Sequence, residues 1–189
     1  MIKFNILIVA ITFTFYAKAQ NTANEGVYAT AADYQNRKLS FTLQAGDSLE
    51  PNEFWAGPYL DVVGNGKKIR LEKDKLYGFR SNQHDYRIAN RHIYQVEDTA
   101  GFILYSTQRL LPVSKGYKPA AQYYFSLSAG ATLHLLTVDN LLYYFKHNVA
   151  FCVALQQIRN DNQLTELITD KDRYRVKVLF DQAASAVAN

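Results

Sequence analysis

Leu76-Tyr77-Gly78-Phe79-Arg80-Ser81-Asn82-Gln83-His84-Asp85-Tyr86-Arg87-Ile88-Ala89 is the stretch that decides the fold. Two aromatic-rich runs, 76–80 and 85–89, flank the polar Ser81-Asn82-Gln83-His84, and Tyr86 and Ile88 recur at period two. An extended chain alternates its side chains between faces, so the stretch reads as a hairpin with one apolar side. The neighbouring segments repeat the pattern. Segments 59–63 and 67–72 flank Gly64-Asn65-Gly66, a tight-turn composition. Segments 92–97 and 102–107 flank Asp98-Thr99-Ala100-Gly101, and 122–128 and 132–136 flank Ala129-Gly130. Eight short strands at about ten-residue spacing predict an antiparallel meander within 26–136. Such a sheet curls, splits or closes toward a barrel to limit its edges.

Upstream, Thr30 followed by Asp33 predicts a capped helix over 31–36. Leu39, Phe41 and Leu43 alternate with Ser40, Thr42 and Gln44, which predicts a strand over 38–44. Segment 45–57, with Pro51 and Trp55, reads as a loop, and so does 109–120. Downstream the period changes. Thr137 is a good N-cap for a helix with Val138, Leu141, Leu142 and Phe145 on one face. Asn148 caps a second helix, with Phe151, Ala154, Leu155 and Ile158 on its face. Leu164, Leu167 and Ile168 suggest a third, short helix. Segment 173–180 alternates like a strand, but Asp170 and Asp172 resemble a helix start, and helix is preferred. Residues 183–189 read as a disordered tail. The expected fold is α+β in a single globular domain over 20–182: a β-rich meander at 26–136 and a small helical layer at 137–182.

Residues 1–19 read as a secretory signal peptide. Lys3 precedes an uncharged stretch from Ile6 to Ala17, and Ala17-Lys18-Ala19 closes it with small residues, placing cleavage between Ala19 and Gln20. The apolar stretch falls short of the ~20 residues that cross a bilayer. The sole cysteine, Cys152, lies far from that site, so lipidation there is excluded and no internal disulfide can form. The expected location is therefore periplasmic or extracellular, without a lipid anchor and without a later transmembrane segment. The chain carries 21 Lys and Arg against 17 Asp and Glu, and losing Lys3 and Lys18 with the leader leaves 19 against 17. That excess is too small for nucleic-acid binding, which needs many clustered cations. The 14 tyrosines, one of them in the leader, suit half-buried sheets, where the ring packs and the hydroxyl reaches a polar partner.

No residue pattern demands catalysis. His84, His92, His134 and His147 lack the paired spacing of zinc ligands. Cys152 sits near a helix start without a Cys-His motif, and there is no G-x-S-x-G elbow. Gly64-x-Gly66 lacks the rest of a dinucleotide loop. Glu50, Glu53, Asp61 and Glu72 are available for glycoside hydrolysis, but spacing alone does not pair them. No cofactor is expected. Tyr77, Arg80, His84 and Arg87 gather on one hairpin, where arginine beside aromatic rings can hold carboxylates or sugars. The same residues equally suit a hairpin whose Arg and Asp pair across strands while the rings fill the core. Lys115-Gly116-Tyr117-Lys118 is a further contact surface to consider.

Several motifs together carry a resemblance. Gly26-Val27-Tyr28 with Asp33-Tyr34 and Asn36 stands first. Lys75 through Arg80 with Asp85-Tyr86-Arg87, Lys115-Gly116-Tyr117 and Tyr123-Tyr124-Phe125-Ser126 follow, and Leu136-Thr137-Val138-Asp139-Asn140-Leu141 completes the set. With the Tyr16-Ala17-Lys18-Ala19-Gln20 leader, the chain resembles uncharacterised secreted and envelope proteins common in Bacteroidetes. That resemblance implies an envelope or secreted location and C-terminal helices, and it carries over no site residue. The expected function is a non-enzymatic, exported binding or structural accessory protein of the bacterial envelope, whose partner is an envelope protein or glycan. The alternative is a secreted hydrolase acting on glycan or peptide. Mass spectrometry of the protein from its host is expected to place the N-terminus within a residue or two of Gln20, and an intact Met1 would refute export.

Overall fold

The computed structural model describes residues 25–51, 57–64 and 67–187. The expected leader with its Ala19-Gln20 junction, Glu53, Trp55, Asn65 and Gly66 lie outside them. The strands are β1 (Gly26–Tyr28), β2 (Phe41–Thr42), β3 (Ser48–Glu50), β4 (Tyr59–Gly64), β5 (Lys67–Glu72), β6 (Gly78–Ser81), β7 (His84–Ala89), β8 (His92–Asp98), β9 (Ile103–Val113), β10 (Gly116–Ser126), β11 (His134–Leu135), β12 (Leu167–Ile168) and β13 (Arg173–Tyr174). The α-helices are α1 (Ala31–Gln35), α2 (Val138–Tyr144), α3 (Val149–Leu155) and α4 (Arg175–Val187). Together they make the expected α+β fold.

The meander runs through β6 to β11 in sequence order, and β1 and β2 join beside β6 to complete eight antiparallel strands. It stays open, with β11 at one edge and β2 at the other, so no barrel closes. The β4/β5 hairpin, expected within the meander, instead joins β3 in a separate three-stranded sheet. The reason is burial. Leu49, Leu60 and Val62 of the small sheet pack on Val27, Phe79, Ile88 and Ile93, covering one end of one face of the large sheet. The helices cover the other end of that same face, where Phe102, Leu104 and Phe125 meet Leu141, Phe151, Leu155 and Val176. Among the described residues, α1 and the loop after β10 cover the opposite face, around Tyr94, Ile103, Tyr105 and Ala129.

Local signals acted as read. Thr30 and Asp33 form a capping box on α1, Thr137 accepts from the Asn140 amide, and Asn148 accepts from that of Phe151. The turns at Asn82-Gln83 and Asn90-Arg91 carry two positive φ angles each. That is the mirror-image geometry that matches strand twist, so the hairpin tip spans two residues and Ser81 pairs with His84.

Five expectations are corrected. The strand over 38–44 shrinks to Phe41–Thr42, with Phe41 exposed. The 45–57 loop contains β3. The 109–120 loop is two paired strands, since Val113 and Gly116 close a turn with Gly116 at φ 103°. Pro112 and Pro119 had masked the alternation. Leu164, Leu167 and Ile168 do not share a helix, because a 3-10 turn over Asp161–Thr165 leads into the β12/β13 ribbon. Segment 173–180 resolves as the end of that ribbon and the start of α4, which runs into the expected tail and buries Ala183. From Arg175 on it is the helix that was preferred, and Lys177, in a polar slot of the alternation, is fully buried on it. Among the described residues no helix is long and apolar enough to cross a membrane.

The helical layer is tied to the β8/β9 turn. Lys177 donates to the carbonyls of Ala100 and Phe102, lies 3.5 Å from the Asp98 carboxylate and sits 3.9 Å from the centre of the Phe102 ring. Arg173 donates to Asp98 at 2.9 Å. Gly101, at φ 74°, lies so close to Phe180 that a β-carbon would fall 2.3 Å from the ring. Burial pushes the Lys177 amine down to about 8, against the pull of Asp98. The unfolded chain keeps that proton to the ordinary lysine range, so between pH 8 and 10 it binds more protons than the folded protein. Stability therefore rises with pH in that window, by roughly 2 kcal/mol from this group. Buried tyrosines with raised pKa values act in the opposite sense as pH 10 is approached, so the contribution is read as a difference. The denaturant midpoint is expected to rise more steeply with pH from 8 to 9.5 in the parent than in Lys177→Met. An unchanged slope in the variant would refute the assignment.

Candidate functional site

A cleft of about 670 Å³ opens on the sparsely covered face. Three elements far apart in sequence build it. The end of α1 supplies Tyr34, Gln35 and Arg37. The β6/β7 tip supplies Gln83, His84 and Asp85. The β8/β9 turn supplies Glu97, Asp98 and Thr99, and the loop after β10 closes one side with Leu127, Ser128 and Ala129. The insertion of β1 beside β6 brings α1 against the hairpin tip. Glu25 fixes that tip by accepting from the Asn82 amide at 2.8 Å.

The wall behind the cleft is a tyrosine cluster around a buried guanidinium. Arg87 donates to the Ala131 carbonyl at 2.7 Å, to the Tyr105 hydroxyl at 3.3 Å and to Ser126 Oγ at 3.4 Å. It also lies 5.5 and 5.6 Å from the ring centres of Tyr77 and Tyr105. Tyr77 donates to the Ala129 carbonyl at 3.0 Å. Tyr34 packs against the Tyr28 and Tyr77 rings at 5.5 and 5.2 Å, and burial pushes its hydroxyl up to about 12. The Tyr77 hydroxyl is also raised, chiefly by burial. These phenols therefore stay neutral across the ordinary pH range.

The carboxylates that line the cleft are each held by the fold. Asp85 accepts from Arg80 at 3.0 Å and from the Tyr28 hydroxyl at 3.1 Å. Glu97 accepts from Ser106 and, at 3.4 Å, from Tyr174. Asp98 accepts from the Ala100 amide at 2.8 Å as well as from Arg173. By contrast, the side chains of Gln35, Gln83 and His84 make no hydrogen bond to another described residue.

Of the four hairpin candidates, the structure thus puts only His84 on the cleft. Tyr77 and Arg87 build the wall, and Arg80 pairs with Asp85 directly across the strands. The sequence carried no signal for Gln35 or Gln83, because glutamine has no characteristic spacing and the approach of α1 to the tip is a tertiary event.

The remaining candidates are scattered. Glu50 and Asp61 share Lys68, and Glu72 pairs with Lys75, all around the small sheet. His134 lies against the Tyr144 ring at 3.9 Å. His147 lines a separate hollow of about 660 Å³ among Tyr144, Phe145 and Val149. His92 is half-buried, and burial lowers its basicity. The Cys152 thiol donates to the Phe145 carbonyl at 3.3 Å. Among the described residues no three His, Cys, Asp or Glu side chains gather as a metal site would require. Comparison with known protein families, with curated proteins and with solved structures finds no match.

The contrast between the two arginines is measurable. Arg87→Ala removes three hydrogen bonds and leaves buried acceptors unpaired, so a loss of roughly 3 kcal/mol is expected. Arg80→Ala breaks a partly exposed ion pair, where a loss of about 1 kcal/mol or less is expected. Urea midpoints at unchanged m-value measure both, and equal losses would contradict the geometry.

Proposed function

We propose that this chain is an exported, non-enzymatic binding protein of a bacterial envelope that holds a glycan segment in the cleft between α1 and the β6/β7 tip. One observation carries the reading. The carboxylates on the cleft are spent on the fold, whereas the Gln35 and Gln83 amides, the His84 imidazole and the Arg37 guanidinium are left open beside the Tyr34 ring. Amides and imidazole both donate to and accept from hydroxyls, and the C–H side of a sugar ring packs on an aromatic face. A few convergent polar groups in a concave site are what a small-ligand pocket needs.

A hydrolase reading fits the same cleft less well. Glycoside hydrolysis needs one carboxyl to give up a proton and another to attack or activate water. Asp85 and Asp98 each form an ion pair with an arginine, so their oxygens are engaged by the fold rather than open to a sugar bond. The leader read at 1–19 and the interior position of Cys152 support export without a lipid anchor.

Titration calorimetry of the mature protein with oligosaccharides released from the host envelope is expected to show saturable binding. Gln83→Ala and His84→Ala are each expected to weaken it about five- to tenfold, the effect of losing roughly 1 kcal/mol of hydrogen bonding, with melting unchanged. Equal affinity in both variants would remove the cleft from the proposal. Release of reducing ends during the titration would instead establish the hydrolase.

A further inference from the structure

The β9/β10 hairpin outruns the sheet that carries it. β8 pairs with β9 at Leu104, Tyr105 and Ser106, and β11 pairs with β10 at Tyr124 and Phe125. The seven residue pairs from Thr107–Gln122 to Val113–Gly116 join these two strands to each other. Along the distal part, residues 110–112 and 114–119 are all exposed. A two-stranded ribbon standing alone is marginally stable in water. An arm of this length that keeps an ordered shape without cover is a surface waiting for one.

Register sorts the arm into two faces. Leu110 pairs with Pro119 and Pro112 with Tyr117, while Gln108 pairs with Ala121. Side chains of paired residues share a face, so Leu110, Pro112, Tyr117, Pro119 and Ala121 form one apolar stripe. Tyr117 is 72% exposed and Leu110 53%. In the body of the sheet this same face is buried under the helices and the small sheet; on the arm it is bare. The other face and the tip carry the exposed Lys118 and Lys115 beside Leu111, with the half-buried Arg109 at their base, and no acidic residue occurs between Asp98 and Asp139.

We propose that this arm docks a partner protein through the Leu110–Tyr117 stripe, into an apolar groove rimmed by Asp and Glu. An apolar centre with an exposed tyrosine and a charged rim is the anatomy of a protein interface. The uniformly basic flanks select the sign of the partner, since like charges in apposition oppose association. A second copy of this chain would bring three cations against three cations if the arms paired. Strand addition is also disfavoured, because Pro112 and Pro119 each remove a backbone donor from one edge of the ribbon. The partner therefore meets side chains rather than the strand edge. This inference is independent of the cleft.

A benzoylphenylalanine photoprobe in place of Tyr117 in the full-length protein, irradiated in the host cell, tests it. The expected adduct joins position 117 to a peptide of another protein rich in Asp and Glu. Lys115→Glu combined with Lys118→Glu is expected to cut its yield about tenfold while melting stays unchanged. The same probe in place of Leu127, exposed but off the arm, is expected to give no such adduct. An adduct with a second copy of the chain, with lipid, or with a peptide lacking acidic residues would overturn the proposal. So would the absence of any adduct at position 117, or an adduct insensitive to the charge reversal.

Discussion

Arg87 carries a charge almost sealed from water, and its hydrogen-bond partners are neutral: a carbonyl, a phenol and a hydroxyl. A buried cation without a carboxylate is tolerated only where dipoles and π-faces are oriented toward it. That requirement propagates through the face on which the cleft lies. It demands that the Tyr105 and Ser126 oxygens converge, which fixes the register of β9 on β10. It draws the loop after β10 inward through Ala131, and Tyr77 draws the same loop through Ala129. Tyr34 then packs on Tyr77, so α1 rests on the wall that Arg87 organises. The polar cleft is the space left between these elements once the two terminal nitrogens of the guanidinium have their partners, while its buried Nε has none among the described residues.

The opposite face of the sheet obeys a simpler constraint. Apolar area must be covered, and two unrelated devices cover it: a small three-stranded sheet over β6 to β8 and helices over β9 and β10. The helices are held by polar contacts as well as by packing. Asp98, the Ala100 and Phe102 carbonyls and the narrow space at Gly101 all engage α4, through Arg173, Lys177 and Phe180. Asp98 therefore serves the helical layer even though it lines the cleft. The arm runs beyond that cover, and its part of the face is left bare.

Much of the fold was legible because its signals are local. Strand alternation repeats every two residues, and a cap acts across three, so the β6/β7 and β8/β9 hairpins and the caps at Thr30, Thr137 and Asn148 can be read from a few letters each. The ends of the strands were less legible. At β9 and β10 two prolines interrupt the alternation, although the ladder continues past both. At α4 a lysine in the polar phase of the pattern is buried, because two carbonyls and a carboxylate wait for it more than 70 residues upstream.

By itself the sequence determined the class of the protein: an antiparallel β-rich part followed by helices, with a leader-like N-terminus and no possible internal disulfide. It also offered a hairpin whose Arg and Asp pair across strands as one reading of 77–87, and the structure makes that pair Arg80 and Asp85. Only the tertiary structure decided that β3, β4 and β5 leave the meander to cover it, and that β1 inserts beside β6 and carries Gln35 to Gln83 and His84. It alone decided that Arg87 turns inward while Arg80 stays near the surface. The physical reason is range. Periodicity and capping follow from backbone geometry within one element, whereas the cleft, the buried cations and the bare arm depend on which distant surfaces remain to be covered once every element has formed.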